Sequence, residues 1–250
     1  MNRRADGRLK ISVIIPSWRD ADYLARLLPA VASCDQAHET IVVEASDDPR
    51  SETTAREFGA QILRCPMPNR GAQLNLGAAA ATGDVLLFQH ADTELTRAHL
   101  AAIESALLDS EIIGGAFHRK FDNRHPRLIW LEDIARVLAR HGRTFYGDQS
   151  IFVRRDFFWK LGGFAEIPLM EDLEFSRRLR ATGKTVVLDP PLRSSARRHL
   201  RRGALRTSLQ NGLFIALYKA GVSPQRLHHW YYPAVPETSS SLEQKGFASQ

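Results

Sequence analysis

The chain has 250 residues, of which 44% are hydrophobic and 25% charged. This is an ordinary globular composition, and the length fits one large domain or one domain with an appended piece. No apolar run approaches the ~20 residues of a membrane-spanning helix, and the charged N-terminus lacks the apolar stretch of a secretory signal. Cys34 and Cys65 have no motif spacing, so we expect two free thiols in a cytoplasmic protein.

The formal net charge of +6 includes a concentration of arginines late in the chain. They are Arg193, Arg197, Arg198, Arg201, Arg202 and Arg206. Such a cluster is either a solvated helix face or a surface for an anionic ligand or an anionic membrane, and the sequence leaves both open.

Short apolar runs alternate with amphipathic segments along the first half of the chain. The pattern predicts strands at 11–15, 39–43, 61–64 and 85–88, with helices at 21–33, at 51–58 and from Arg70 onward. Pro16 is expected to end the first strand, and Pro29 to kink the first helix. This alternation, with short links, is typical of βαβ units and indicates an α/β fold with a mostly parallel sheet flanked by helices.

The second half continues with predicted helices at 96–108, 128–140, 156–161, 171–181 and 203–220, and strands at 112–119, 150–153 and 185–188. Pro190 and Pro191 are expected to end the last strand. The polar, aperiodic segment 234–250 predicts a disordered tail. We therefore expect one domain over 1–233, with a basic helical segment over 193–233.

Acidic clusters lie at three predicted element boundaries: Glu44/Asp47/Asp48, His90/Asp92 and Glu171/Asp172/Glu174. The first two follow strands, and ligands in open α/β sheets bind at the carboxyl ends of strands. The third cluster begins a helix, where acids are favoured for stability alone. The apolar residues 167–170 just before it predict a partly enclosed position, in which desolvation would raise the pKa of a general base.

Asp92 is either a turn residue or an oxygen ligand for a hard divalent ion held beside phosphates. His90 is a second ligand or a hydrogen-bond donor to phosphate. No dinucleotide, P-loop, zinc or nucleophile-elbow motif occurs, although Gly71 with Gln73 and Asn75 suggests a phosphate loop at first sight.

Six segments in order resemble family 2 glycosyltransferases of the GT-A fold. They are 14–17 (IIPS), Glu44, 70–75 (RGAQLN), 87–92 (LFQHAD), 147–149 (GDQ) and 170–172 (MED). The resemblance covers roughly residues 11 to 200. It is greatest to small bacterial transferases associated with arsenosugar biosynthesis and radical-SAM gene neighbourhoods.

The resemblance implies a role for each matching residue. The nucleotide would be bordered by Pro16, Ser17, Glu44, Arg70, Gln73, Asn75, His90, Arg197 and Arg198. Gly147, Asp148 and Gln149 would shape the sugar and acceptor pocket. Asp92 would bind Mg²⁺ or Mn²⁺ at the diphosphate, and Asp172 would be the general base, supported by Glu171.

Three positions depart from the family pattern. Glu44 replaces a common aspartate that reads the uracil edge, which weakens the expectation of a uridine donor. His90 replaces the first aspartate of the Asp-x-Asp metal motif, and Arg19 stands where many relatives have asparagine.

The function implied is inverting transfer of a sugar from a nucleotide-diphospho-sugar, with UDP-sugar favoured, to a small-molecule, lipid or saccharide acceptor. No nucleic acid partner is expected. A peripheral contact with the inner face of the membrane stays open, and the apolar run 213–217 is either core or the face of a homodimer. One alternative is a sugar-phosphate nucleotidyltransferase, which needs a glycine-rich loop where this chain has PSWRD at 16–20. The other is a nucleotide-sugar-binding protein without a catalytic base.

Overall fold

The computed structural model describes residues 9–121, 145–194 and 204–232, and these residues form a seven-stranded sheet flanked by helices. The strands are β1 (Ile11–Ser17), β2 (Ala37–Glu44), β3 (Gln61–Arg64), β4 (Val85–Phe88), β5 (Ile112–Phe121), β6 (Phe152–Arg154) and β7 (Lys184–Ser194). Their order across the sheet is β3-β2-β1-β4-β6-β5-β7. Of these seven described strands, only β6 pairs antiparallel with its neighbours, so the sheet is mixed and mostly parallel, and the predicted α/β class is confirmed.

The described helices are α1 (Ala21–Ala32), α2 (Pro49–Glu57), α3 (Arg70–Ala80), α4 (Arg97–Ala106), α5 (Arg155–Lys160), α6 (Glu171–Thr182), α7 (Ala204–Lys219) and α8 (Pro224–Tyr231). Local chemistry fixes several of their first residues. The Asn69 side chain accepts a hydrogen bond from the Ala72 amide at the start of α3, and Asp48 does the same for the Arg50 amide at the start of α2. Pro29 lies inside α1.

The expectation that prolines end β1 and β7 is wrong. β1 continues through Pro16 to Ser17, and β7 continues through Pro190 and Pro191 to Ser194. β4 pairs with β1 only as far as Ile14, and β7 is an edge strand that pairs with β5 alone. A missing backbone donor is tolerated where a strand has one neighbour, which explains both positions.

Two apolar layers cover the faces of the sheet. One packs α1, α2 and α4 against β1 through residues such as Leu24 and Ile103, and the other packs α3, α5 and α6 through residues such as Leu74 and Phe175. The small residues of α3 allow it to approach the sheet closely. A Cβ on Gly77 would lie 2.4 Å from the Cγ2 atom of Ile14, so this position accepts only glycine without displacing β1.

A third apolar cluster joins the C-terminal helices to the start of α6. Phe214 of α7 and Leu227 of α8 are buried against Met170 and Leu173. The part of the run 213–217 that includes Phe214 is therefore core, whereas Leu213 is 57% exposed. No described helix is long and apolar enough to cross a membrane.

Both cysteines are buried and free, as expected. The predicted helix 128–140, Arg197, Arg198, Arg201, Arg202 and the tail 234–250 lie outside the described residues.

Candidate functional site

The candidate site lies where β1, β2 and β4 leave the sheet, beside the beginnings of β6 and α6. The chain passes from β1 to β2 on one side and returns to β4 on the other, which makes this edge the topological switch point. A cleft at this edge is lined by Pro16, Arg70, Leu74, Phe88, His90, Gly147, Ile151, Phe164, Glu171 and Asp172. Six of these residues were predicted for the site, from five separate stretches of the sequence.

Asp172 lies in the first turn of α6, two residues after Met170, whose backbone is left-handed with φ of 72°. Its Oδ2 atom accepts a hydrogen bond from the Gly147 amide at 2.6 Å, and its Oδ1 atom accepts one from its neighbour's amide, Leu173, at 2.7 Å. Burial raises the pKa of Asp172 to about 7, the charge of Glu171 adds to the rise, and the Gly147 amide opposes it. A carboxyl group with this pKa can accept a proton near neutral pH.

Glu171 and Arg70 form the polar wall next to Asp172. The Glu171 side chain is buried, and its Oε1 atom lies 3.7 Å from the Nη1 atom of Arg70. Arg70 keeps 45% of its side chain exposed, so the guanidinium is available to an anion that enters the cleft.

The short 3₁₀ turn Gly147–Gln149 connects the two halves of the site. A Cβ on Gly147 would lie 2.8 Å from the Nε2 atom of His90 and 3.2 Å from the Oδ2 atom of Asp172, so the glycine allows both side chains to approach the turn. Gln149 is buried, and its Oε1 atom accepts from the Tyr146 amide at 2.9 Å, which stabilises the turn instead of lining the cleft.

Two interactions at this turn involve residues that the sequence did not single out as a group. Asp148 forms an ion pair with Arg119 of β5. The hydroxyl of Ser150 donates to the Oε1 atom of Gln89 at 2.7 Å, and the Nε2 atom of Gln89 donates to the Thr93 carbonyl at 2.7 Å. Arg119 and Asp148 are 29 residues apart, and only the polar character of Gln89 at a strand end was a signal in the sequence.

Asp92 lies at the open margin of the site, with 44% of its side chain exposed and its Oδ1 atom 4.0 Å from the Nδ1 atom of His90. Among the described residues, no three His, Cys, Asp or Glu side chains gather into a group that could hold a metal alone. An exposed single carboxylate fits a hard divalent ion that takes its other ligands from phosphate and water.

Glu44 is fully buried at the end of β2. Its Oε2 atom accepts from the Ser17 hydroxyl at 2.7 Å, and its Oε1 atom accepts from the amide and the hydroxyl of Ser46 at 2.8 and 2.7 Å. Burial alone would raise the pKa of Glu44, but the hydrogen bonds it accepts, led by that of Ser17, outweigh burial and lower it. The structure therefore places both Ser17 and Glu44 behind the cleft.

Gln73 and Asn75 also serve the protein's own backbone. The buried Nε2 atom of Gln73 donates to the Ser17 and Val43 carbonyls at 2.9 and 2.8 Å, which joins the ends of β1 and β2. Asn75 donates to the Phe164 carbonyl at 2.9 Å and accepts from the Phe164 amide at 2.8 Å. Neither side chain lines the cleft as the sequence predicted, because backbone groups occupy their amides.

Solved structures share this fold. The mannosyltransferase PcManGT from Pyrobaculum calidifontis, in complex with GDP-Man and Mn²⁺, has a TM-score of 0.65 and 20% identity, over 90% of this chain and 70% of that one. TarS from S. aureus in complex with UDP-GlcNAc has a TM-score of 0.58 and 18% identity, over 75% of this chain and 58% of that one. The fold is thus the GT-A fold of these glycosyltransferases.

Curated relatives match shorter parts of the sequence. A 4,4'-diaponeurosporenoate glycosyltransferase of Staphylococcus haemolyticus is 31% identical over 104 residues, which is 39% of this chain and 28% of that protein. An uncharacterized glycosyltransferase of Nostoc sp. is 28% identical over 155 residues, which is 55% of this chain and 48% of that protein. The match covers less than half the length of either relative.

The family model described as glycosyl transferase family 2 matches residues 12–162. The match begins in β1 and ends after α5, so it includes the carboxyl ends of β1, β2 and β4 and the turn at Gly147, while Asp172 lies beyond it. More than half of the chain is matched, and the chain belongs to glycosyltransferase family 2.

Proposed function

We propose that this protein transfers a sugar from a nucleotide-diphospho-sugar donor to an acceptor hydroxyl. One observation carries the proposal above the others: the Asp172 carboxyl faces the cleft of a family 2 fold with a pKa raised to about 7. The structural neighbours with bound GDP-Man and UDP-GlcNAc support a nucleotide-sugar as the donor class. The sugar-phosphate nucleotidyltransferase alternative has no observation in its favour.

In the proposed reaction Asp172 is the general base. Its carboxylate accepts the proton of the acceptor hydroxyl as the acceptor oxygen forms its bond to the anomeric carbon. The bond from that carbon to the donor phosphate oxygen breaks, and the nucleoside diphosphate leaves with the bonding electrons. Attack from the face opposite the leaving group inverts the anomeric centre. The Gly147 amide holds Asp172 in position through its 2.6 Å hydrogen bond.

Negative charge develops on the leaving diphosphate, and Arg70 together with a divalent ion held by Asp92 would offset it. The exposed guanidinium of Arg70 lies on the cleft wall, and a planar fork of donors suits phosphate oxygens. Asp92 would hold Mg²⁺ or Mn²⁺, and a bound divalent ion supplies charge stabilisation to the diphosphate. His90, between Asp92 and the Gly147 turn, completes this side of the cleft.

Product analysis tests the proposal directly. The protein is incubated with a panel of UDP-, GDP- and dTDP-sugars and a cell extract, with and without Mn²⁺, and products are identified by mass spectrometry. We expect glycosylated product, and slow release of nucleoside diphosphate from at least one donor without extract. Formation of nucleotide-sugar from sugar phosphate and nucleoside triphosphate would instead establish a nucleotidyltransferase. Donor binding with neither hydrolysis nor transfer would indicate a binding protein.

We further propose that the C-terminal segment contacts an anionic membrane surface that carries a lipid acceptor. Leu209 and Leu213 of α7 are 65% and 57% exposed, four residues apart on one helix face. In the sequence, the residues just before α7 include Arg197, Arg198, Arg201 and Arg202, which complement anionic headgroups.

Co-sedimentation with vesicles of anionic and of neutral lipids tests this contact. We expect binding to anionic vesicles that weakens with salt and with Leu213→Ser. Absence of salt-sensitive binding would exclude the membrane, and a concentration-dependent dimer lost in Leu213→Ser would make the exposed face a contact between two copies of the chain. Membership of the arsenosugar-type subgroup stays a proposal from the sequence resemblance, and the product analysis above tests it.

A further inference from the structure

We propose that Glu44 is a positioning residue that fixes the two loops beside the nucleotide site and does not itself contact the nucleobase. The inference rests on the proposed function, since it concerns the nucleotide of the same site. It reverses the role that the resemblance implies for this position, where the family's common aspartate reads the uracil edge.

The hydrogen-bonding capacity of the Glu44 carboxylate is directed into the protein. Oε1 accepts two hydrogen bonds and Oε2 accepts one, all between 2.7 and 2.8 Å. The residue has 0% exposure, so no surface of the carboxylate is available to a base edge. Glutamate is one methylene longer than aspartate, and here the extra length takes the carboxylate back to the hydroxyls of Ser17 and Ser46.

The partners of Glu44 lie where β1 and β2 end and the two loops begin. Ser17 is the last residue of β1, and Ser46 follows the end of β2. The Ser46 hydroxyl also accepts from the Arg19 amide at 3.3 Å, so a continuous chain of hydrogen bonds connects Arg19, Ser46 and the carboxylate. Arg19 has a left-handed backbone with φ of 58°, a conformation that is uncommon for residues other than glycine.

A second set of hydrogen bonds joins the same ends of β1 and β2. The Gln73 amide donates to the carbonyls of Ser17 and Val43, and the Ala45 amide donates to the Ser17 carbonyl at 2.9 Å. For the Glu44 carboxylate to contact a nucleobase, it would have to break its three charge-assisted hydrogen bonds. The strand ends around it, which the Gln73 and Ala45 amides also join, would have to move as well. Charge-assisted hydrogen bonds are among the stronger ones in proteins, and the exchange for one bond to a base is unfavourable.

The test compares UDP with CDP, because the two bases differ where a carboxylate would read them. Uracil N3 carries a hydrogen that a carboxylate accepts, whereas cytosine N3 is itself an acceptor and would be repelled. A carboxylate that reads the base should favour UDP by on the order of tenfold or more. Calorimetry with Mn²⁺ gives the ratio of the two dissociation constants for the full chain and for Glu44→Gln. The matched control is Glu57→Gln, which changes an exposed glutamate at the end of α2.

We expect Glu44→Gln to raise the dissociation constants of UDP and CDP by the same factor, about three- to tenfold, so that the ratio of the two constants is unchanged within threefold. Glu57→Gln should change neither constant. A ratio that changes by more than tenfold in Glu44→Gln would overturn the inference while leaving the proposed function intact. Failure of UDP, CDP, GDP and dTDP alike to bind the unmodified protein would overturn both the inference and the proposed function.

Ser46→Ala keeps the test decisive if Glu44→Gln does not fold. Removing one hydroxyl leaves the carboxylate in place, with one partner fewer. If Glu44 only positions the loops, the affinities for UDP and CDP should fall by the same factor. If Glu44 reads the base, the released carboxylate raises the preference for UDP over CDP by more than threefold, and that result would refute the positioning role.

Discussion

Glu44 and Asp172 are two acidic residues at the same edge of the sheet, and their surroundings are opposite. Glu44 accepts three hydrogen bonds, and its pKa is lowered. Asp172 accepts two backbone hydrogen bonds, but burial and, after it, the charge of Glu171 raise its pKa to about 7. A buried carboxylate whose hydrogen bonds outweigh its burial stays ionised and stabilises the structure. A buried carboxylate with fewer hydrogen bonds has a raised pKa and can accept a proton near neutral pH. The comparison separates a supporting acid from a reactive one within one fold.

Removing the proton-accepting group should have the largest effect. Asp172→Asn is expected to lower the transfer rate by roughly 10²- to 10⁴-fold, the usual contribution of a general base, with donor affinity within threefold of the unmodified protein. Transfer is measured by product formation and donor affinity by calorimetry. Asp156→Asn, at an exposed aspartate of α5, is the matched control. Near-full turnover by Asp172→Asn would show that another group is the base.

Displacing Asp172 without removing it should cost less. In Gly147→Ala the new methyl group would lie 3.2 Å from the Asp172 Oδ2 atom and 2.8 Å from the His90 Nε2 atom. We expect about a 10²-fold lower rate, the scale of an ångström-size misplacement. The control is Gly212→Ala in α7, where a Cβ meets no atom within 4 Å. Equal rates for the two alanine variants would mean that the turn does not position the base.

The raised pKa predicts how transfer depends on pH. Asp172 accepts a proton only when ionised, so the rate should fall about tenfold per pH unit below its pKa of about 7 and level off above it. Initial rates between pH 5 and 9 at saturating donor give the profile. An acid limb centred near pH 4 would assign the base to a carboxyl group with an ordinary pKa.

The two acids should also affect stability in opposite directions, which is the smallest of these effects. The pKa of Asp172 is raised, so its contribution to stability is present below its unfolded value near 4 and is lost as pH rises through about 7. The melting temperature of Asp172→Asn, measured relative to that of the unmodified protein, should therefore increase as pH rises from 5 to 8.

The pKa of Glu44 is lowered, so its contribution is present above its unfolded value and is lost as pH falls through the folded value. Glu44→Gln should lose about 1–3 kcal/mol at pH 8, the scale of a hydrogen bond to a charged group. Thermal melts of both variants at pH 5 and pH 8 check the signs. Shifts of the same sign at pH 8 would contradict the contrast between the two acids.

Local patterns in the sequence predicted most of the fold. The bounds 61–64 and 85–88 agree with β3 and β4, and α6 begins at Glu171 as expected, because apolar runs and turn residues are local signals. The continuation of β7 through Pro190 and Pro191 was not predictable. It depends on β7 lying at an edge of the sheet, which is a property of the assembled topology.

The candidate site divides in the same way. Arg70, His90, Gly147 and Asp172 were predicted and line one cleft, since the ends of parallel strands meet at one edge. Gln73 was predicted to face the nucleotide, but its amide serves two carbonyls inside the protein. A polar residue in a sequence does not reveal whether its partner is a ligand or the protein's own backbone, because that depends on contacts distant along the chain.

Among the described strands, β6 alone runs in the reverse direction, and this affects how the site is built. In a sheet with all strands parallel, every chain segment leaves through the active edge and must return through the opposite one before it can contribute again. Because β6 runs the other way, the chain also enters the sheet at the active edge, and the turn Gly147–Gln149 arrives there directly beside the end of β4. The chain therefore both leaves and enters the sheet at this edge. The end of β4, which leaves it, and the turn before β6, which enters it, are joined by the hydrogen bond between Gln89 and Ser150.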